Sequence, residues 1–447
     1  IAAALLLPAC ATSPAPSPAA QLDAPGAWRA QAPAGSVVQP QWWQAFGDPL
    51  LVAAVERALA GNVDLAVAEA RMREAEALAA QARAGLWPSL DASATAQKAR
   101  TLGTTGQLST GTTRQVQLQA SYELDLWGRV RAANASARAS LQASRYGRDA
   151  AALSVAAATA RAYVQLTSLD AQLEIARATL QAREEALRAA RRRAESGYTS
   201  RLELAQAEAE QRTAAQAVPA LELAIAQQEN ALQLLTGALP GEVERGRFAA
   251  LRLVEPGAGL PSDLLARRPD VAEAEATLVA ADANFASARA ALLPQVTLTG
   301  SVGRLFVEHI DPVTVWSLGG SLLAPLFDGG QRAAQVDIAE AQRDQSAWSY
   351  RGVVLNAFAE TEDALEGIVG LQAQAEQLEA RHAALAEALK HARNRYRAGY
   401  ASYLEELDAQ RGLYGAELER VQLHESRLLN AVALYQALGG GWAAPAG

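Results

Sequence analysis

The residue types that carry covalent or metal chemistry are thinly supplied in this chain of 447 residues: one Cys, one Met and four His, His309, His382, His391 and His424. A single thiol cannot form an intramolecular disulfide, and the imidazoles stand in unlike surroundings without ligand spacing. His382 and His391 are nine residues apart on one helix-forming tract, which does not place them on one turn. Met72 stands alone and builds no thioether relay. Gly319-Gly320 and Gly329-Gly330 fit neither a dinucleotide nor a Walker pattern, and no segment offers a nucleophile with a convergent base. The composition therefore predicts no catalysis, no bound metal and no cofactor. Forty Lys and Arg against 48 Asp and Glu give a net charge of -8 in mixed-sign runs, which excludes a basic footprint for nucleic acid. One carboxylate pair stands out by spacing: Glu405 and Asp408, at i and i+3, share a helix face. By itself, such a pair reads as a solvated surface.

The lone thiol has a context of its own. Ile1-Ala-Ala-Ala-Leu-Leu-Leu-Pro-Ala-Cys10 has the composition of the end of an apolar leader. Leu7 at minus three and Ala9 at minus one resemble a bacterial lipobox, from which Pro8 departs. On this reading residues 1–9 are the remnant of a signal peptide, Cys10 carries a covalent lipid, and 10–47 form a lipidated extension that starts as an Ala/Pro/Ser-rich tether. Ala11 after the thiol favours the outer membrane over the inner, by analogy with enterobacterial sorting. Past residue 10 no uncharged apolar run reaches the roughly 18 residues a membrane helix needs, so any crossing is by strands.

Proline placement exposes the elements. None occurs between Pro88 and Pro219 or between Pro325 and Pro445. Within these tracts, 129–196 and 331–398 are rich in Ala, Leu, Gln, Glu and Arg, and predict helices of roughly 100 Å with weak points at Gly147, Gly352, Gly367 and Gly370. The chain also repeats itself. Leu86-Trp-Pro-Ser-Leu90 matches Leu292-Leu-Pro-Gln-Val296, Trp127-Gly-Arg-Val-Arg-Ala-Ala133 matches Asp328-Gly-Gly-Gln-Arg-Ala-Ala334, and Ser196-Gly-Tyr-Thr-Ser-Arg-Leu-Glu203 matches Ala398-Gly-Tyr-Ala-Ser-Tyr-Leu-Glu405. The displacements are 201 to 206 residues. A first repeat over 48–240, a linker at 241–261, a second repeat over 262–438 and a tail at 439–447 follow. Each repeat reads helix, strand, strand, long helix, helix.

The strands show period 2. From Val116 to Leu126, Val, Leu, Ala, Tyr, Leu and Leu alternate with Gln, Gln, Ser, Glu and Asp. Strands are predicted at about 88–97, 115–127, 294–303 and 313–326, with loops at Lys98 to Arg114 and Gly303 to Pro312. Trp87 and Trp127 at strand ends fit an aromatic girdle. Four strands cannot close a barrel, and lipid forbids an open edge, so the barrel is shared between chains. Two copies give eight strands and three give twelve. A lipid-anchored periplasmic coiled-coil scaffold, with the alternating segments as a small soluble sheet, is the competing reading.

Several motifs together resemble the TolC-like outer membrane factor family, in its efflux-lipoprotein branch of OprM- and NodT-type proteins. They include Trp42-Trp-Gln-Ala-Phe-Gly-Asp-Pro-Leu50, Tyr122-Glu-Leu-Asp-Leu-Trp-Gly128, Leu264-Leu-Ala-Arg-Arg-Pro-Asp-Val271, Pro325-Leu-Phe-Asp-Gly-Gly330 and Arg397-Ala-Gly-Tyr-Ala-Ser-Tyr-Leu404. The resemblance implies a mainly α fold with membrane β: a homotrimer with a 12-stranded outer-membrane barrel continuous with a long periplasmic α-helical barrel. It implies a passive efflux duct for drugs or other small molecules, with type I protein secretion as the alternative. The partners implied are a periplasmic adaptor and an inner-membrane pump, usually of the resistance-nodulation-division class. At the periplasmic tip Glu405 and Asp408 would form carboxylate rings that gate the pore, Glu203 the acidic latch position, and Tyr396 the latch tyrosine. Ala401 stands where the family has a latch Arg, leaving Arg201 or Arg411 as substitutes.

Overall fold

The computed structural model describes residues 22, 24–30, 38–102, 106–308 and 310–443. Cys10 and the proposed lipobox lie outside the described residues, as does His309. No described helix is long and apolar enough to cross a membrane.

Both repeats open with a helix that breaks early. Asp48 caps α1 (Pro49–Gly61) by accepting the Leu50 N–H at 2.8 Å, and Pro49 occupies the first turn, where its missing donor costs nothing. Asn62 then interrupts the chain before α2 (Val63–Ala84). In the second repeat α5 (Pro261–Arg267) stops at Arg268, which the following Pro269 keeps out of the helical region, and α6 (Pro269–Ala290) continues. After two strands each repeat runs into a helix of 67 residues and then one of 35: α3 (Arg129–Glu195) and α4 (Arg201–Leu235), α7 (Gln331–Arg397) and α8 (Tyr403–Ala437). Gly147, Gly352, Gly367 and Gly370 are absorbed without a break, and Pro219 lies inside α4.

The strands are β1 (Ser89–Leu102), β2 (Leu108–Leu124), β3 (Gln295–Val307) and β4 (Val313–Leu323), one antiparallel sheet in the order β1-β2-β3-β4. They correct the sequence reading at both ends. Residues 98–102, 108–114 and 303–307, expected as loop, are strand: Lys98 pairs with Thr112, Arg100 with Thr110 and Leu305 with Val313. Toward the helices β2 ends at Leu124, short of 127, because the Asp125 carboxylate turns back to accept the Val130 and Arg131 N–H groups of α3 at 3.1 and 2.9 Å. Asp328 accepts from Gly330 and Arg332 in the same way before α7, and β4 stops at Leu323, ahead of Pro325, which has no N–H for a ladder.

The register runs without a bulge, so alternation holds across the whole sheet. One face carries rows such as Ala92–Leu118–Val302–Trp316 and Leu124–Val296–Leu322. The other carries Asp91–Gln119–Ser301–Ser317, whose two serine hydroxyls lie 2.9 Å apart. The apolar face is exposed, with Trp316 76% and Leu318 82% accessible. Among the described residues β1 and β4 have no partner on their outer edges.

The described chain forms two compact units, each drawing on both repeats. Arg71–Arg145 and Glu273–Gly352, which include the sheet, build one. The other comprises Asp23–Ala70, Tyr146–Ala272 and Val353–Gly447. Its core gathers Trp42, Phe46, Leu51, Tyr163, Leu166, Leu232, Leu428 and Tyr435, with Trp42 stacked on Tyr435 at 5.1 Å. Here the repeat shows itself as a duplicated joint. The Asn62 amide donates to the Leu235 carbonyl at 2.9 Å, and the Arg268 guanidinium donates to the Ala437 carbonyl at 3.1 Å. Beside each lies a left-handed glycine. A Cβ on Gly237 would stand 2.0 Å from the Gly61 carbonyl oxygen, and one on Gly439 would stand 1.9 Å from that of Arg267.

Candidate functional site

The two helix hairpins turn at Gly197-Tyr198 and Gly399-Tyr400. Gly197 and Gly399 adopt φ of 75° and 78°, and the N–H of the next tyrosine reaches back to Arg193 O at 2.8 Å and Arg395 O at 2.9 Å. This is the left-handed stop that only glycine accepts without strain. Ser200 then accepts the Glu203 N–H at 3.2 Å, a cap that starts α4 and fixes where the Glu203 side chain emerges.

Tyr396 and Glu203 meet. The Tyr396 hydroxyl donates to Glu203 Oε1, Thr199 Oγ1 donates to Glu203 Oε2 at 2.6 Å, and Arg193 Nη1 donates to the Tyr396 oxygen at 2.9 Å. The Arg193 guanidinium also sits 5.4 Å from the centre of the Tyr396 ring. Burial, and next the Glu203 carboxylate, hold the Tyr396 phenol well above its ordinary value of 10.0, so it remains a donor at neutral pH. Its ring lies 5.7 Å from that of Tyr403, which is buried with Leu407, Ala207 and Ala190.

The second-repeat carboxylates have other company. Glu405 and Asp408 are both exposed. Arg395 Nε lies 3.2 Å from Glu405 Oε1, and Arg411 Nη1 lies 3.7 Å from Asp408 Oδ1. Arg395 is the repeat equivalent of Arg193, as Glu405 is of Glu203, each 202 residues on. The cation beside Tyr396 is therefore Arg193, neither Arg201 nor Arg411. Its signal was present in the repeat offset.

A second, more enclosed network ties the same four helices together. Glu210 accepts from Arg411 and faces Arg183 at 3.6 Å. Arg183 donates to Gln410, Gln410 Nε2 donates to Glu406 Oε1 at 2.9 Å, and Arg393 lies 3.5 Å from Glu406. Arg183, Glu210 and Glu406 are all buried. The hydrogen bond to Glu210 raises the Arg411 pKa further. Sequence spacing gives no hint of the Arg183–Glu210 pair, since its members lie on opposite arms of a hairpin. The site has no metal-binding constellation, nor does any other part of the described chain. It can hold the four helices together through charge.

An open antiparallel sheet with one lipid-compatible face, joined in each repeat to a helical hairpin closed by ion pairs, is the build of an outer-membrane channel. The family model for outer membrane efflux proteins matches residues 54–238 and 260–440, and the chain belongs to that family. It is 39% identical to the pyoverdine export outer membrane protein OpmQ of Pseudomonas aeruginosa, across 99% of this chain and 96% of that one. It is 32% identical to the cation efflux system protein CusC of Escherichia coli, across 90% and 88%. Among solved structures it resembles the outer membrane protein VceC of Vibrio cholerae with a TM-score of 0.85 and 28% identity, covering 91% of this chain and all of that one. Membership places the protein in the outer membrane as the channel component of an efflux system.

Proposed function

We propose that three copies of this chain close a 12-stranded barrel and form a passive duct from a periplasmic adaptor to the exterior. The observation that carries the proposal is the sheet: among the described residues it has four strands, bulge-free, with an exposed apolar face, a polar face opposite, and no partner on the outer edges of β1 and β4. In hydrocarbon such edges must be paired, and chains of the same kind supply the pairing. The named relatives move chemically unlike cargo, pyoverdine in one case and cations in another. A duct that discriminates little, driven by a pump of the resistance-nodulation-division class, accounts for that range, and drugs or other small molecules are the cargo class.

In this reading the hairpin turns form the periplasmic entrance. Glu405 and Asp408 line it as carboxylate rings, and Glu203 with Tyr396 forms the latch that keeps it shut. Cys10 carries the lipid that anchors the chain to the membrane; the protein needs no other cofactor. The native mass of the detergent-extracted membrane fraction tests the assembly. A particle near three times 46.9 kDa, inserting into planar bilayers and conducting, supports the duct. A water-soluble monomer refutes it in favour of the periplasmic scaffold.

A further inference from the structure

The charged residues of the sheet are segregated by face. Its four cations, Lys98, Arg100, Arg114 and Arg304, occupy positions in register with the apolar rows, while its two carboxylates, Asp91 and Glu123, lie on the polar face. All four cations crowd toward the hairpin ends. Arg304 pairs across with Val116, Arg114 with Phe306 and Ala96, Lys98 with Thr112, and Arg100 with Thr110. Arg304 to Arg114 and Arg114 to Lys98 are therefore diagonal neighbours, about 7–8 Å apart, and Arg100 is the next residue on that face. The four form a staircase crossing three strands. All are exposed, and none has an ion-pair or hydrogen-bond partner among the described residues. One carboxylate, Glu308, follows β3 directly, its N–H donating at 3.3 Å to the carbonyl of Thr112, the residue that pairs with Lys98.

Cations placed on a lipid-facing surface are costly unless they sit at its rim and meet opposite charge. Toward the helices the next row is wholly apolar, Ala92–Leu118–Val302–Trp316, and toward the β-hairpin turns the cations alternate with single apolar residues, Val116 beside Arg304 and Phe306 beside Arg114. Guanidinium forks bind phosphate oxygens in pairs, and each basic residue near an anionic surface adds attraction. We infer that the staircase Lys98, Arg100, Arg114 and Arg304 is a binding site for the phosphate groups of outer-leaflet glycolipid. The inference rests on the proposed reading of the sheet as barrel wall with its hairpins outward.

The test uses the full chain in maltoside micelles, titrated with bis-phosphorylated lipid A, with its dephosphorylated form and with inorganic phosphate, and adducts counted by native mass spectrometry. Saturable lipid A adducts are expected, at least tenfold weaker without the phosphates and weakened again by salt. K98Q/R100Q/R114Q/R304Q should lower affinity at least tenfold, while R114K/R304K retains binding. Where the quadruple variant fails to assemble, the pairs K98Q/R100Q and R114Q/R304Q carry the comparison. Equal binding of the dephosphorylated lipid, undiminished binding by an assembled neutral variant, or displacement by inorganic phosphate at the lipid's own concentration would each overturn the site. Bilayer conductance separates the two levels: a chain that does not insert fails as a barrel, whereas one that conducts but shows no phosphate preference loses only this inference.

Discussion

Tyr396, on the long helix of the second repeat, donates its hydroxyl to Glu203, on the short helix of the first, so a single proton spans the two halves of the duplication. Arg193 approaches the same oxygen from the remaining side. Removing the proton donor leaves the Glu203 carboxylate short of one charged hydrogen bond, worth about 2 kcal/mol, or roughly 30-fold in a two-state equilibrium. Y396F should therefore raise the open fraction of single channels in planar bilayers by about that factor at most. Single-channel records indistinguishable from wild type would remove Tyr396 from the latch.

Neutralising Glu405 and Asp408 together should reduce cation selectivity and raise conductance, since both carboxylates are exposed and their guanidinium partners are on the same chain. Reversal potentials across a salt gradient measure this. E405A/D408A channels that keep wild-type selectivity and conductance would place the constriction elsewhere.

Arg183 and Glu210 are each less than a tenth exposed. Glu210 keeps Arg411 when Arg183 is removed, whereas removing the Glu210 charge leaves Arg183 a buried cation with only the neutral Gln410 accepting from it, a loss of about 3–5 kcal/mol that neutralising both recovers in large part. E210Q should accelerate amide exchange in the ends of α3 and α4, with R183M/E210Q lying between it and wild type. A double variant worse than the single one would contradict the pairing.

Glu425 and His424, neighbours on α8, should leave opposite signatures in pH. Burial raises the Glu425 carboxyl above its ordinary 4.5, against the hydrogen bond it receives from Ser168, so the folded state favours its protonated form. The stability gain is complete below 4.5 and is lost as pH rises through the higher folded value. Burial, and next Arg427, lower His424 below 6.5, so its contribution is present above that value and is lost as pH falls. E425Q should thus raise the thermal midpoint at pH 7 with little change near pH 4, and H424Q should help on the acid side. Parallel shifts in the two variants would refute the assignment.

G237A and G439A confront both a left-handed φ and a carbonyl oxygen about 2 Å from the new carbon, distances of 2.0 and 1.9 Å. Each should cost at least about 2 kcal/mol, seen as a lowered unfolding midpoint in detergent. A neutral result at either would mean that the helix joint beside it opens freely.

Much of this architecture was legible because its signals are periodic. The repeat offset, the proline-free tracts and the alternation from Val116 to Leu126 all survive into the structure as paired elements. The strand residues next to the β-hairpin turn were not legible, since Gly and Thr between Lys98 and Arg114 have the composition of a loop, and only cross-strand pairing makes 98–102 and 108–114 strand. At the tip, Glu203 and Tyr396 came from family resemblance. Their cation did not, because Arg193 is one of several arginines in a basic run, and only its equivalence to Arg395 singles it out. Arg183 and Glu210 depend on how two helix arms pack, which no local pattern encodes.

The outer edges of β1 and β4, unpaired among the described residues, have a genetic consequence. If each chain supplies one third of a common wall, a subunit defective in edge pairing does not merely fail on its own account; it is built into assemblies with sound ones. With two alleles expressed equally, only about one barrel in eight would contain three intact chains. Edge-strand lesions in this protein should therefore be dominant over the wild-type copy, unlike the recessive loss expected of a channel made by a single chain.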